Sequence, residues 1–347
     1  MLGKFCGVLG IGLAVVLGVG AAGAAERLDR LDRFRQLAAT RLALAQVLDA
    51  DAPAEAYREI YALLDDEIVE SLASGGPFAS LAFLQDRLDG FAEAWGGASL
   101  RLVRAGGLFV GAFILDDRPA GNSVRVYGRL NGEGPGLLTA FYREGRPSVS
   151  VPPAVRDGAF LVAWEGLASG WGTRPLRVEL LRRVGDNVSV AWSTATVFTE
   201  GLRARTWSVR GDEVRIRYEL RYPGWAPGCA GQTEQEDVYR ITPVAGVTRV
   251  ARREHNAWHR DLHATVDRVV AALAAGDDTA LTALVPDRAL RARLPAALQP
   301  EPSCDAREGA AGDAVSVAAA ADGEPWTLMF RRQGARWRLT GATPMLQ

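Results

Sequence analysis

Apolar residues recur at helical spacing in the N-terminal third of the chain and alternate with polar ones over much of the rest. Leu28, Leu31, Phe34, Leu37, Leu42, Ala45 and Leu48 share one helical face, with Arg and Asp between them, until Pro53 interrupts the pattern. A second stripe, Tyr57, Ile60, Tyr61, Leu64, Ile68 and Leu72, predicts a helix from Ala54 to about Ala73, stopped by Ser74-Gly75-Gly76-Pro77. A third helix is expected from Phe78 to Ala94. Asp65, Asp66, Glu67 and Glu70 on the second helix read as its solvated face. After Trp95-Gly96-Gly97 the period falls to two, and strands are expected at Leu100–Arg104, Leu108–Leu115, Val124–Leu130 and Leu137–Arg143.

Pro147, Pro152 and Pro153 mark a boundary, beyond which Ala154 to about Arg253 is almost wholly β in pattern. Strands are predicted at Phe160–Glu165, Leu176–Arg182, Val188–Phe198, Arg203–Arg210 and Glu213–Tyr222. In the last, Val214, Ile216, Tyr218, Leu220 and Tyr222 alternate with Arg215, Arg217, Glu219 and Arg221, so one face is buried and the other wet. Arg210-Gly211-Asp212 lies between two such runs and reads as hairpin-turn chemistry; Asn131 to Gly136 reads as a hairpin loop. Trp164, Trp192 and Trp207 sit inside apolar-alternating strands and are read as core residues. Trp225 differs, because Tyr222-Pro223-Gly224-Trp225-Ala226-Pro227-Gly228-Cys229 is a stiff loop followed by Glu234, Glu236 and Asp237. Tyr222, Trp225 and those three acids are the candidate ligand-recognition residues.

His255, His259 and His263 are all the histidines in the chain, spaced by four. On a helix each step rises about 6 Å and drifts about 40°, so neighbouring pairs can share a metal ion, whereas the outer two lie about 12 Å apart. With no cysteine or acid at ligand spacing, this candidate metal set is expected to pack at the core boundary instead, and Asn256 is placed to cap the helix and leave His255 outside it.

From Val266 to Val285 the chain reads as helix, Gly-Asp turn and helix, and Ala314–Ala320, Trp326–Arg332 and Ala335–Thr340 read as strands. On the Ala272–Asp277 turn and the Phe330–Leu339 hairpin, the last 90 or so residues resemble the nuclear transport factor two-like, cystatin-like cone superfamily. That resemblance implies a curved sheet wrapped on a helix around a pocket; it implies a shape and no reaction. Residues 54–150 repeat the helices-then-sheet order without visible identity. The fold class expected is therefore α+β: residues 26–153 as helices plus an antiparallel sheet, 154–253 as an antiparallel β domain and 254–347 as the cone-like domain.

At the N-terminus Lys4 precedes an apolar run from Phe5 to Val19 and an Ala22-x-Ala24 end, the pattern of an export signal over residues 1–25. Loss of that leader turns 40 basic and 41 acidic residues into 39 and 41, a formal charge of −2. Lys4 is the only lysine, which excludes Schiff-base, Ser-Lys and phosphate-loop chemistry from the mature chain. Cys229 and Cys304, an even pair without metal spacing, are expected to form a disulfide in an oxidising compartment, with a loop of about 75 residues worth about 4 kcal/mol in the chain-entropy model.

These readings point to a periplasmic or secreted protein that is not an enzyme and needs no cofactor, and that binds a protein or an envelope component. Nucleic acid is not an expected partner, and membrane contact is expected only through a retained leader. One alternative is a glycan hydrolase drawing two carboxylates from Glu213, Glu219, Glu234, Glu236 and Asp237; another is a metal sensor using the histidines.

Overall fold

The structure, a computed structural model, describes residues 30–40, 51–116, 121–131, 133–155, 158–243, 246–308 and 313–345; the side chains of 51–56 and 307–308 fall outside that description. The leader over 1–25 and the apolar positions Leu28, Leu42, Ala45 and Leu48 lie outside the described residues. The fold is α+β with antiparallel sheets, and it divides into two compact units. One holds the described residues up to Leu167 with Leu176–Gly201 and Ile241–Gly246; the other holds Ala168–Pro175, Leu202–Arg240 and the chain from Val247. Residues 154–253 are thus shared between the two.

In the first unit, α1 (30–39), α2 (Asp51–Ser74) and α3 (Leu81–Trp95) precede a sheet of order β1-β2-β3-β4, Ser99–Ala105, Leu108–Ile114, Asn122–Arg129 and Pro135–Phe141. The Ser80 side chain caps α3 by accepting from the Phe83 amide at 3.2 Å, and Gly96 ends it in the left-handed region at φ 72°. Strict alternation splits the sheet into two faces. Leu100, Leu102, Phe113, Leu115 and Tyr127 pack with Phe34, Ile60, Leu64, Leu88 and Phe91 of the helices. Val110, Val124 and Val126 point the other way, onto Phe160, Val162, Trp164, Leu181 and Val188 of a second sheet. Its strands in this unit are β5 (Arg146–Ser150), β6 (Ala159–Glu165), β7 (Arg174–Val184) and β8 (Asn187–Ser193), paired in the order β5-β6-β7-β8 within a sheet of eight strands. Strand β3, covered on both sides, is buried along nearly its whole length.

Two expectations are corrected here. The acidic face of α2 is solvated only in part: Asp66 is exposed, but Asp65 pairs with Arg125, and Glu67, only 2% exposed, takes a 2.7 Å bond from Arg87. The strand expected to run to Phe198 stops at Ser193, whose side chain accepts from the Ala195 amide and opens a helical turn, Thr194–Val197.

In the second unit β9 (Arg203–Arg210), β10 (Glu213–Glu219), β11 (Glu234–Ile241) and β12 (Val247–His255) are neighbours in the order β12-β11-β10-β9. Gly211, at φ 57°, turns β9 into β10, the hairpin read from Arg210-Gly211-Asp212. Then α4 (Ala257–Ala275) and α5 (Asp278–Leu284) lead into a sheet of order β13-β15-β16-β17, with β14 pairing on β15. Those strands are Gln299–Pro300, Ala306–Glu308, Ala314–Ala321, Glu324–Gln333 and Arg336–Pro344. The stripe Leu262, Val266, Val269 and Leu273 of α4 buries against Val315, Val317, Leu328, Phe330 and Leu339. The opposite face of the first turns of α4 carries the polar cluster described next.

Candidate functional site: two histidines and an aspartate

His259 and His263 lie one turn apart on α4, 3% and 4% exposed, and their Nε2 atoms converge on a single carboxylate oxygen. That oxygen, Oδ2 of Asp305, is 3.1 Å from His259 Nε2 and 2.7 Å from His263 Nε2, and one ligand atom from each residue fits within 4.8 Å of the others. Three parts of the second unit build this arrangement, and each has a local cause.

The first is the start of α4. Asn256 sits in the left-handed region at φ 56° and makes no side-chain cap. Thr233 from the strand side does that work: its hydroxyl donates to the Asn256 carbonyl at 2.7 Å and accepts from the Arg260 amide at 3.1 Å. The first helical turn, with His259 in it, is thereby fixed to the residue that precedes β11.

The second part is the loop 220–233. The Gln232 side chain knits it, accepting from the Ala226 amide at 2.8 Å and donating to the carbonyls of Ala226 at 2.5 Å and Cys229 at 3.1 Å. Tyr222 Oη accepts from the Thr233 amide at 2.9 Å and lies 2.6 Å from His259 Nδ1. Burial pushes the Tyr222 phenol above its ordinary pKa even though the Thr233 amide bond acts the other way, so the hydroxyl stays protonated at neutral pH. Gly224, at φ 81°, lies directly against the imidazole of His263: a Cβ there would come within 1.7 Å of Nδ1. No other residue fits that position.

The third part is the disulfide. Cys229 and Cys304 are bonded, as their pairing in the sequence led us to expect, and Asp305 is the next residue. Burial would raise the Asp305 carboxyl, but the hydrogen bonds and charges of His259 and His263 outweigh it and hold its pKa below the ordinary 3.8.

The remaining candidates are placed as follows. His255 ends β12, its Nε2 3.6 Å from Glu236, apart from the other two histidines. Trp225 is half-buried with the Arg221 guanidinium 5.3 Å from its ring centre, while Trp171 is 54% exposed and packs on Gly228. Glu234, Glu236 and Asp237 belong to strand β11 rather than to a displayed loop. Glu234 takes bonds from Arg205 at 3.0 Å and from Arg217, and Asp237, fully buried, takes two from Arg252 at 2.8 and 3.0 Å. Glu213 is bonded by Arg215 and Arg240. Arg205 of β9 and Arg215 and Arg217 of β10 are therefore spent on neighbouring acids.

Sequence reasoning missed Asp305, Thr233 and the role of Gly224. One signal was available for the first: a bridge from Cys229 to Cys304 necessarily brings residue 305 beside the Tyr222–Cys229 loop. Nothing local announces that α4 presents its histidines there.

The chain matches no protein-family model and no curated protein. Among solved structures it is similar to a candidate 6-phosphogluconolactonase from Bacteroides fragilis, 11% identical over 69% of this chain and 67% of that one, with a TM-score of 0.19. A protein from Lactobacillus plantarum is 10% identical over 70% and 69%, also at 0.19. Scores of that size carry no argument about fold or activity.

Proposed function

We propose that this is a non-catalytic extracytoplasmic protein that binds a divalent transition metal through His259 Nε2, His263 Nε2 and Asp305 Oδ2. The observation that carries the reading is the convergence of two buried imidazoles and one buried carboxylate, 2.7 and 3.1 Å from the shared oxygen. Two nitrogens and an oxygen suit borderline ions such as Zn²⁺, Ni²⁺ or Co²⁺ better than Mg²⁺ or Ca²⁺, which take all-oxygen sites. Bound at about 2.0–2.1 Å from each ligand atom, such an ion spreads the three only slightly from where they stand. His259 then carries its proton on Nδ1 and donates it to Tyr222, an outer partner of the kind that orients metal-bound imidazole.

The carboxylates available for hydrolysis support the non-catalytic part of the reading. Glu213, Glu234 and Asp237 are each held by arginines, and the Asp237 pKa is depressed, the reverse of what a general acid needs. Location outside the cytoplasm is supported by the export pattern of residues 1–25 and by the disulfide; among the described residues no helix is long and apolar enough to cross a membrane. Helices followed by an antiparallel sheet packed on α4 support the cone-like reading of the C-terminal residues. The test is calorimetric titration of chelator-treated protein with Zn²⁺. One equivalent should bind the wild type and none the His259→Ala, His263→Ala double variant; equal binding by both overturns the proposal.

A further inference from the structure

The metal site is clamped between two segments of chain that nothing but a sulfur bridge joins covalently at close range. On one side the loop 220–233 presses Gly224 on His263 and Tyr222 on His259. On the other, Asp305 closes over both imidazoles from a stretch with no regular structure. Its last backbone bond before the cysteine runs from the Glu301 amide to Ala318 O, and its next ladder pairing is Ala306 with Ser316. Between those points Cys304 is the anchor, one residue from the carboxylate, and its partner Cys229 lies five residues beyond Gly224. Cys229 is buried, whereas Cys304 is exposed to solvent.

We infer that the Cys229–Cys304 bond sets the metal affinity of this site, so that a dithiol reductant releases the ion. This rests on the metal-binding reading above. In the exchange, one thiolate of the reductant attacks Cys304 Sγ, the exposed end; the S–S bond breaks, and Cys229 Sγ leaves as a thiolate and takes up a proton. The reductant's second thiol then displaces Cys304 from the mixed disulfide. Two electrons and two protons have passed to the protein, which holds two thiols, and the reductant leaves as its own disulfide. The loop and the Asp305 segment are then free to separate, and the ligand set loses the fixed geometry that affinity requires.

Zn²⁺ affinity is to be measured by competition with a chromophoric chelator for the oxidised wild type, for Cys229→Ser, Cys304→Ser and for His259→Ala. The double serine variant removes the bridge without offering thiolates as replacement ligands. Its affinity should fall about ten-fold or more. Affinity within two-fold of the oxidised wild type overturns the inference, as does tighter binding after reduction. Should the serine variant fail to fold, release of Zn²⁺ from loaded wild type to excess chelator is followed with and without a water-soluble phosphine. Faster release on reduction is expected, and an unchanged rate overturns the redox link. If oxidised wild type binds no better than His259→Ala, the metal reading itself fails, an outcome distinct from a site that binds equally well in both redox states.

Discussion

Two buried polar clusters, one in each unit, use an aspartate in opposite ways. In the first unit Asp65 on α2 accepts from Arg125 Nε at 2.6 Å, from a second Arg125 nitrogen and from the Tyr127 hydroxyl at 2.7 Å, while Arg125 also donates to Tyr142 at 2.8 Å and lies 4.9 Å from the Tyr61 ring centre. Burial would depress the Arg125 pKa, but its bonds to Asp65 outweigh this and raise it, so the guanidinium is charged at every accessible pH. Such a cluster is a lock: the carboxylate is already neutralised by a guanidinium that keeps its proton, so a second cation is not called for. In the second unit Asp305 meets two imidazoles instead of a guanidinium. Imidazole nitrogens carry lone pairs when neutral, so the same burial yields a ligand set rather than a lock. Asp237, gripped by Arg252, shows that the second unit also builds the locked kind, within the sheet that leads to α4.

The sharpest way to break this comparison is to remove the acid from the locked cluster. Asp65→Ala leaves a buried arginine uncompensated and should lower stability by about 3–5 kcal/mol, read from the urea midpoint, with Zn²⁺ binding by the folded fraction unaltered. Loss of metal binding in that variant, with folding intact, would show that the two clusters are not independent.

Asp237→Asn should cost less, about 1.5–3 kcal/mol, the worth of hydrogen bonds to a charged group, and its signature lies in acid. Burial tends to raise the Asp237 carboxyl, but the bonds and charge of Arg252 outweigh it and bring the folded-state pKa below the ordinary 3.8. The unfolded chain therefore binds a proton first as pH falls. The Asp237 contribution is complete above the unfolded value and is lost as pH drops below about 4 toward the folded value. Urea midpoints of wild type and variant should converge between neutral pH and pH 3. Parallel curves would mean that Asp237 is not ionised in the native state.

Asp305→Asn separates the two kinds of cluster. No permanent cation is stranded, so stability should fall by only about 1–3 kcal/mol, yet Zn²⁺ binding should disappear because the convergent anionic oxygen is gone. A variant that binds zinc as tightly as wild type would make the cluster a hydrogen-bonded packing element.

Much of the fold was legible because burial of one face and exposure of the other leaves a strong trace. The alternation Val214, Ile216, Tyr218 against Arg215, Arg217 marked β10, and Leu262, Val266, Val269 and Leu273 marked α4. Asp65 and Glu67 of α2 misled because helical spacing tells which residues share a face, and not that Arg125 and Arg87 come to meet two of them. β11 went unseen because its buried face includes Gln235, Asp237 and Tyr239, polar residues satisfied by Tyr218 and Arg252 across the sheet, and a pattern search reads such residues as loop. The site was half visible. Four-residue spacing aligns His259 with His263, but Asp305 lies 42 residues further on and joins them through a disulfide and a crossover that no local period encodes.

The smallest expected effect tests how the loop acts on the metal ligands. Tyr222→Phe deletes only the hydroxyl that sits 2.6 Å from His259 Nδ1 and accepts the Thr233 amide at 2.9 Å. Stability should drop by about 1 kcal/mol, the worth of one net hydrogen bond, with the ring still filling its place beside His259. Affinity for Zn²⁺ should fall further than that loss implies, about ten-fold, because a ligating imidazole without an acceptor for its Nδ1 proton is neither oriented nor made more basic. The two readouts divide the possibilities: a stability loss with affinity unchanged makes Tyr222 a loop anchor alone, whereas a fall in affinity with the urea midpoint barely moved makes it the outer partner of His259.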